Sequence, residues 1–152
     1  MPLGAFIASP DRMRHLSVDP PLSHVTTFGG HPVSCAAGLA SLNIILKKNL
    51  ARQSTVMGKK LLTALQQLKK NKAIHEARGM GMMIGLEFVE GRSCEQFVKT
   101  AREEGLLLGF TLHTNRVVRM TPPLTLSEKE LNEGIGMMEK ALTAIAPSYH
   151  AY

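Results

Sequence analysis

The segment His24-Val25-Thr26-Thr27-Phe28-Gly29-Gly30-His31-Pro32, followed by Val33-Ser34-Cys35-Ala36-Ala37-Gly38-Leu39-Ala40, constrains this chain more than any other. Two hydroxyls and two glycines stand directly before a helix that opens on proline. Gly29 and Gly30 let the backbone come close to a ligand. Pro32 suits the first helical turn, where a missing N–H costs little. The free N–H groups of that turn, together with the helix dipole, favour an anion such as phosphate. Taken alone, the motif also fits an ordinary loop that caps a helix.

The pattern of apolar residues places the other elements. Residues 2–8 form a short apolar run that reads as a buried strand. Ser9-Pro10-Asp11 is a helix start, with Ser9 as N-cap, and a short helix is expected over 10–16. Asp19-Pro20-Pro21 breaks the chain. Residues 32–48 are apolar on more than one face, which marks a helix packed on two sides. A second long helix is expected over 50–71, with Val56, Leu61, Leu62, Leu65 and Leu68 as its apolar stripe. Strands follow at 74–78 and 82–89, the second alternating through Ile84, Leu86 and Phe88. Ser93 and Gln96 are spaced for a capping box on a helix running to about 104, which Gly105 ends. Two more strands are expected at 106–112 and 116–120, with His113-Thr114-Asn115 between them. Ser127-Glu128-Lys129-Glu130 is a second capping box, and the helix after it carries Leu131, Ile135, Met138, Leu142 and Ile145. The order after residue 50 is helix, strand, strand, helix, strand, strand, helix. That is an α+β arrangement, a small sheet with helices on one side.

Composition excludes several classes. The chain has 152 residues, enough for a domain with a sizeable core, and its two cysteines make no disulfide framework. No apolar run reaches ~18 residues, so no membrane span is expected, nor does the start resemble a signal peptide. The setting implied is reducing and cytoplasmic. Residues 1–72 hold ten Lys/Arg and two Asp/Glu, whereas residues 73–152 hold eight and ten. A basic half can attract nucleic acid. Here, however, the lysines fall on helix faces and ends with almost no aromatic interleaving, so a solvated face is the better reading and no nucleic-acid partner is expected. The six histidines show no metal-ligand spacing. Met80, Met82 and Met83 read as core filling.

Arg119 sits between Val118 and Met120 in an apolar strand. A guanidinium there needs an anionic partner, because a bare buried charge is costly. That partner is either a glutamate such as Glu87 or a bound carboxylate, which the planar fork grips in two places. Arg78 precedes Gly79-Met80-Gly81. This Gly-x-Gly is followed by a strand rather than a helix, so it is no dinucleotide loop. Its glycines read as backbone devices in a tight connection, and Arg78 as structural or near the mouth of a site.

Four segments carry a resemblance: Met1-Pro2-Leu3-Gly4-Ala5-Phe6, the threonine loop with its helix, Glu76-Ala77-Arg78-Gly79-Met80-Gly81-Met82-Met83-Ile84-Gly85, and Val117-Val118-Arg119-Met120-Thr121-Pro122-Pro123-Leu124. In this order and at these separations the chain, up to about residue 146, resembles the C-terminal part of class III aminotransferases, the acetylornithine/ornithine branch in particular. The resemblance implies a fold type I pyridoxal 5'-phosphate-dependent transferase, with residues 1–48 as the end of its large cofactor domain and connecting helix, and residues 49–152 as its small domain. It implies that Thr27 binds the cofactor phosphate of a partner subunit in a homodimer, and that Thr26 lies near the same phosphate or serves as a local cap. It implies that Arg119 holds the α-carboxylate of a keto acid, 2-oxoglutarate, which accepts the amino group of an ornithine- or acetylornithine-like donor. It also implies that the lysine joined covalently to the cofactor lies upstream of Met1. On that expectation residues 1–152 hold no catalytic residue of their own and are inactive alone. The competing expectation is an autonomous, non-catalytic domain that binds a partner.

Overall fold

The computed structural model describes residues 1–21, 24–110 and 114–145, and the chain divides into two compact units at Lys48/Asn49. Of the strand expected at 106–112, residues 106–108 belong to no strand, and residues 111 and 112, with His113 of the turn after them, lie outside the described residues.

In the first unit, residues 1–9 are exposed and belong to no helix or strand. The expected strand at 2–8 is therefore corrected. A strand exists by pairing its N–H and C=O groups with a neighbour, and among the described residues of this unit no such neighbour stands beside it. Helix α1 (Pro10–Arg14) starts where Ser9 and Pro10 place it, but without a side-chain cap, and it ends two residues early in a hydrogen-bonded turn. Helix α2 (Pro32–Lys47) follows the threonine loop. Its apolar residues are not enclosed: Leu39, Leu42, Ile44 and Leu46 are exposed, and only Ser34 is buried. Leu3 lies against Gly38 so closely that a Cβ there would collide with it.

The second unit holds the core. Its elements are α3 (Leu50–Leu68), β1 (Ile74–Met80), β2 (Met83–Phe88), α4 (Gly91–Glu103), β3 (Gly109–Phe110), β4 (Val117–Met120) and α5 (Glu128–Ile145). This is the expected order. The strands form one antiparallel sheet in the order β1-β2-β4-β3. Ile84, Leu86 and Phe88 alternate inward from β2 and meet Leu61 and Leu65 of α3, Cys94 and Phe97 of α4, and Leu131, Met138, Leu142 and Ile145 of α5 in one cluster. Phe88 and Phe97 pack with ring centroids 5.1 Å apart. Fully burying a side chain of this size contributes ~1.5–3 kcal/mol, so these residues carry the fold of this unit.

Three local expectations are corrected. The stripe of α3 runs through Leu50, Met57, Leu61 and Leu65, which puts Val56 on the solvent side, 51% exposed. Helix α4 starts after Glu90 rather than after Ser93, and Ser93 is buried within its first turn. Only Met82 of the three methionines fills core; Met80 and Met83 are 88% and 67% exposed. They are cross-strand partners at the end of the β1–β2 hairpin, on the face turned away from the helices. By contrast, the Ser127–Glu130 box forms as expected. The Ser127 N–H donates to Glu130 Oε2 at 2.8 Å, and the Glu130 N–H donates to Ser127 Oγ at 3.2 Å. Gly105, at φ 94°, ends α4.

The glycines of the 79–81 segment are the expected backbone devices. Gly81 turns the hairpin at φ 55°, and a Cβ on Gly79 would strike the backbone of Met83 and Ile84. The turn rests on α3 at Gly58, where a Cβ would strike the Gly81 peptide, and the Met82 N–H donates to Ser54 Oγ at 3.0 Å.

Candidate functional site

In the first unit the site is the loop 24–31. His24 Nδ1 lies 2.8 Å from the Leu16 carbonyl oxygen, so this nitrogen carries the proton and ties the loop to the turn after α1. The Gly29 N–H donates to the Thr26 carbonyl (3.1 Å), and the His31 N–H donates to the Phe28 carbonyl (3.1 Å). These successive turns need Gly30 at φ 71°. A Cβ on Gly29 would sit 3.0 Å from Thr26 Oγ1, so glycine lets this side chain fold under the turn. Thr26 and Thr27 are both exposed, and neither hydroxyl makes a hydrogen bond among the described residues. Among the described residues the Thr26 side chain accepts no backbone N–H, and its backbone carbonyl closes the turn.

Helix α2 begins directly behind this turn, with His31 as an N-cap that makes no side-chain hydrogen bond. Pro32 has no N–H, and the Val33 and Ser34 amides occupy the turn where an α-helix leaves its donors without intrahelical acceptors. No acidic side chain stands in that turn. An uncapped helix start, two unengaged hydroxyls and a glycine turn make up a donor set that suits a phosphate.

In the second unit Arg119 lies on β4 with Val118 and Met120 turned into the core on either side. Alternation puts Arg119 on the opposite, outer face of the sheet, where it is exposed. The expectation of a guanidinium enclosed in an apolar strand is corrected accordingly. Its cross-strand neighbours are glycines on both sides, Gly85 on β2 and Gly109 on β3. A Cβ on Gly109 would meet nothing within 4 Å, so the space beside Arg119 is open. Arg119 also lines a cleft of about 410 Å³ whose walls include Leu61, Leu106, Pro122, Leu131 and Met138. It makes no ion pair among the described residues.

The glutamate considered as its partner is engaged elsewhere. Glu87 Oε2 accepts from Arg78 Nη1 at 2.5 Å, and Glu87 Oε1 lies 3.6 Å from Arg116 Nη2. Arg78 Nη1 also reaches Glu76 Oε2 at 2.9 Å. The hydrogen bond from Arg78 is the largest influence holding the Glu87 carboxyl below the usual carboxylate range, and the same contact raises Arg78 further. Residue-type reasoning did not find this cluster. Its signal is the hairpin register, which sets Arg78 opposite Gly85 and Glu76 opposite Glu87.

Among the described residues no group of three or more His, Cys, Asp or Glu side chains is placed to hold a metal, and no helix is long and apolar enough to cross a membrane. Thr26 and Thr27 belong to one unit and Arg119 to the other.

The antiparallel sheet backed by helices in the second unit is an α+β arrangement, consistent with a fragment of a fold type I enzyme. The profile of the family Aminotransferase class-III matches residues 1–142, and the chain belongs to this family, whose cofactor is pyridoxal 5'-phosphate. It is similar to the ornithine δ-aminotransferase of Plasmodium falciparum (27% identity over 93% of this chain and 36% of that one, TM-score 0.81). It is also similar to the ornithine aminotransferase of Toxoplasma gondii (27%, 91% and 32%, 0.79), in which pyridoxal phosphate partly occupies the active site. A third similar structure is the (S)-enantioselective omega-transaminase of Thermomicrobium roseum (28%, 90% and 33%, 0.78). The chain thus spans about a third of the length of the solved structures it matches.

Proposed function

We propose that this chain is the C-terminal part of an aminotransferase that moves an amino group from an ornithine- or acetylornithine-like donor to 2-oxoglutarate. In this reading residues 1–48 end the large cofactor domain and residues 49–152 form the small one. Thr27 donates a hydrogen bond to the phosphate of pyridoxal phosphate held by the second subunit of a homodimer. The first-turn amides of α2 add their dipoles, and Thr26 is the nearest further donor. Such a charge-assisted bond is about twice as strong as a neutral one. Two unpaired cysteines, one buried and one exposed, accord with a cytoplasmic enzyme.

Bound cofactor supplies an electron sink for the carbon that loses its proton. Residues 1–152 supply binding and orientation. Arg119 grips the α-carboxylate with two parallel N–H donors and so fixes the direction in which the keto group points. The observation that carries this reading is an arginine on an open sheet face, flanked by two glycines and unpaired among the described residues. A fixed cation with space beside it is suited to an incoming anion.

The covalent lysine belongs, in this reading, to sequence outside residues 1–152. Incubating the 152-residue chain with pyridoxal phosphate, reducing with borohydride and mapping the product should give no single stoichiometric lysine adduct and no turnover of ornithine or acetylornithine. A defined adduct with turnover would overturn that part. In the full-length holoenzyme, Thr27→Ala should release cofactor faster on dialysis, and Arg119→Lys should raise KM for 2-oxoglutarate with a smaller change in kcat. Wild-type cofactor retention in the first variant, or unchanged keto-acid kinetics in the second, would remove the corresponding role.

A further inference from the structure

The outer face of the sheet carries five charged side chains close together: Glu76 and Arg78 on β1, Glu87 on β2, and Arg116 and Arg119 at β4. Four of them are joined by the ion pairs Arg78–Glu76, Arg78–Glu87 and Arg116–Glu87. Two cations and two anions cancel, and Arg119 is left over. This outcome is not forced by the spacing. Glu87 stands opposite Val117, and Arg119 stands opposite Gly85, two residues further along each strand. Diagonal neighbours of this kind are about 7–8 Å apart, within reach of long side chains. Gly85 puts no side chain on one flank of that diagonal, and Val117 stands on the other, with its Cγ1 3.4 Å from where a Cβ on Gly85 would lie. Arg78 stands on the other side of the same glycine, about two strand spacings, or ~10 Å, from Arg119.

We infer that Arg78 is a positioning residue: it occupies Glu87 and thereby keeps the Arg119 guanidinium free to take the substrate's carboxylate. This rests on the carboxylate reading of Arg119 given above. Two features make Arg78 rather than Arg116 the decisive partner. Its contact with Glu87 is a short hydrogen bond, whereas Arg116 lies 3.6 Å from the other oxygen. The Glu87 side chain is also only 16% exposed, so water replaces a lost partner poorly and its free oxygen seeks another donor. Without Arg78, the nearest unpaired guanidinium on that face is Arg119. An intramolecular pair there competes with the keto acid for the same fork. A partly exposed ion pair of ordinary strength would weaken carboxylate binding by about threefold to fivefold.

The test uses the full-length holoenzyme and 2-oxoglutarate. Arg78→Gln should raise KM for 2-oxoglutarate about threefold to fivefold with kcat nearly unchanged. Arg78→Lys should stay near wild type, and the double variant Arg78→Gln, Glu87→Gln should recover the wild-type KM. An unchanged KM in Arg78→Gln, or a raised KM that Glu87→Gln does not relieve, would overturn the inference. Arg119→Lys is run in parallel. If it leaves KM unchanged, the carboxylate reading fails, and the pairing itself is decided by a second readout. That readout is the Arg119 Nε–H resonance in the 152-residue chain. Arg78→Gln should shift it and the double variant should return it; an unmoved resonance would overturn the inference on its own.

Discussion

Replacing Gly58 by alanine sets two effects against each other. In a helix interior the exchange of glycine for alanine is favourable by ~0.5–1 kcal/mol, because glycine loses more backbone freedom on folding. At Gly58, however, the added Cβ would overlap the carbonyl and Cα of Gly81, which are backbone atoms of the hairpin turn. They must retreat by more than an ångström, and Gly81 is already held at φ 55°. Overpacking of this kind costs ~1–3 kcal/mol. The retreat also opens the Met82 N–H to Ser54 Oγ bond, worth ~1 kcal/mol. The sum is a net loss of ~1–3 kcal/mol, or a fall in Tm of roughly 4–20 °C for a unit of this size. Gly136 on α5 is the control, since a Cβ there meets nothing within 4 Å. Gly136→Ala should raise stability by ~0.5–1 kcal/mol. Urea unfolding followed by circular dichroism on both variants gives opposite signs if the packing of α3 on the hairpin is as described. Stabilisation by both substitutions would refute the close approach.

Ser127→Ala should cost ~1 kcal/mol by opening the capping box of α5, measured by urea unfolding at pH 7. The Glu130 carboxyl is held below its usual value by its hydrogen bonds from Ser127, so its contribution is complete above that value and is lost as pH falls through the depressed one. The gap between wild type and Ser127→Ala should therefore narrow in acid; a gap independent of pH would refute the reciprocal box. Burial pushes the Cys94 thiol up to about 11, while Cys35 is exposed. A thiol-specific chromogenic reagent at pH 8 should thus titrate one cysteine per native chain and two in denaturant, and two fast equivalents in the native chain would contradict the packing of α4.

Much of the second unit was legible because its elements carry local signals that tertiary packing does not override. Ile84, Leu86 and Phe88 alternate, so they had to share a face. Ser127 and Glu130 sit at the spacing of a reciprocal cap, and Gly105 ends its helix by taking a positive φ. What was not legible depends on neighbours. The run at 2–8 has strand composition, but composition provides no pairing partner. Ser93 looks like a cap, but the chain leaves β2 already turning, so the helix starts after Glu90 and Ser93 is drawn into it. Val56 and Met57 are both apolar; only tertiary packing selects Met57 for the core. Arg119 illustrates the candidate site. Its fixed positive charge is readable from residue type, whereas its open surroundings come from Gly85 and Gly109 on two other strands. The commitment of Glu87 to Arg78 likewise requires the hairpin register.

The register of β1 has one more consequence. Among the described residues β1 is an edge strand seven residues long, with one row of N–H and C=O groups facing no strand. A straight edge of that length is a template on which another chain can extend the sheet. Here the ladder slips by one residue between Ile74 and Glu76, which bends the strand and spoils its spacing. Beyond the slip come Glu76 and Arg78, whose charges a stacking neighbour would have to accommodate, and then Gly79, which weakens any added pairing. The same charged residues that form the ion-pair cluster with Glu87 thus also make this edge a poor template for foreign strands, so two demands on the hairpin meet in one short stretch of sequence.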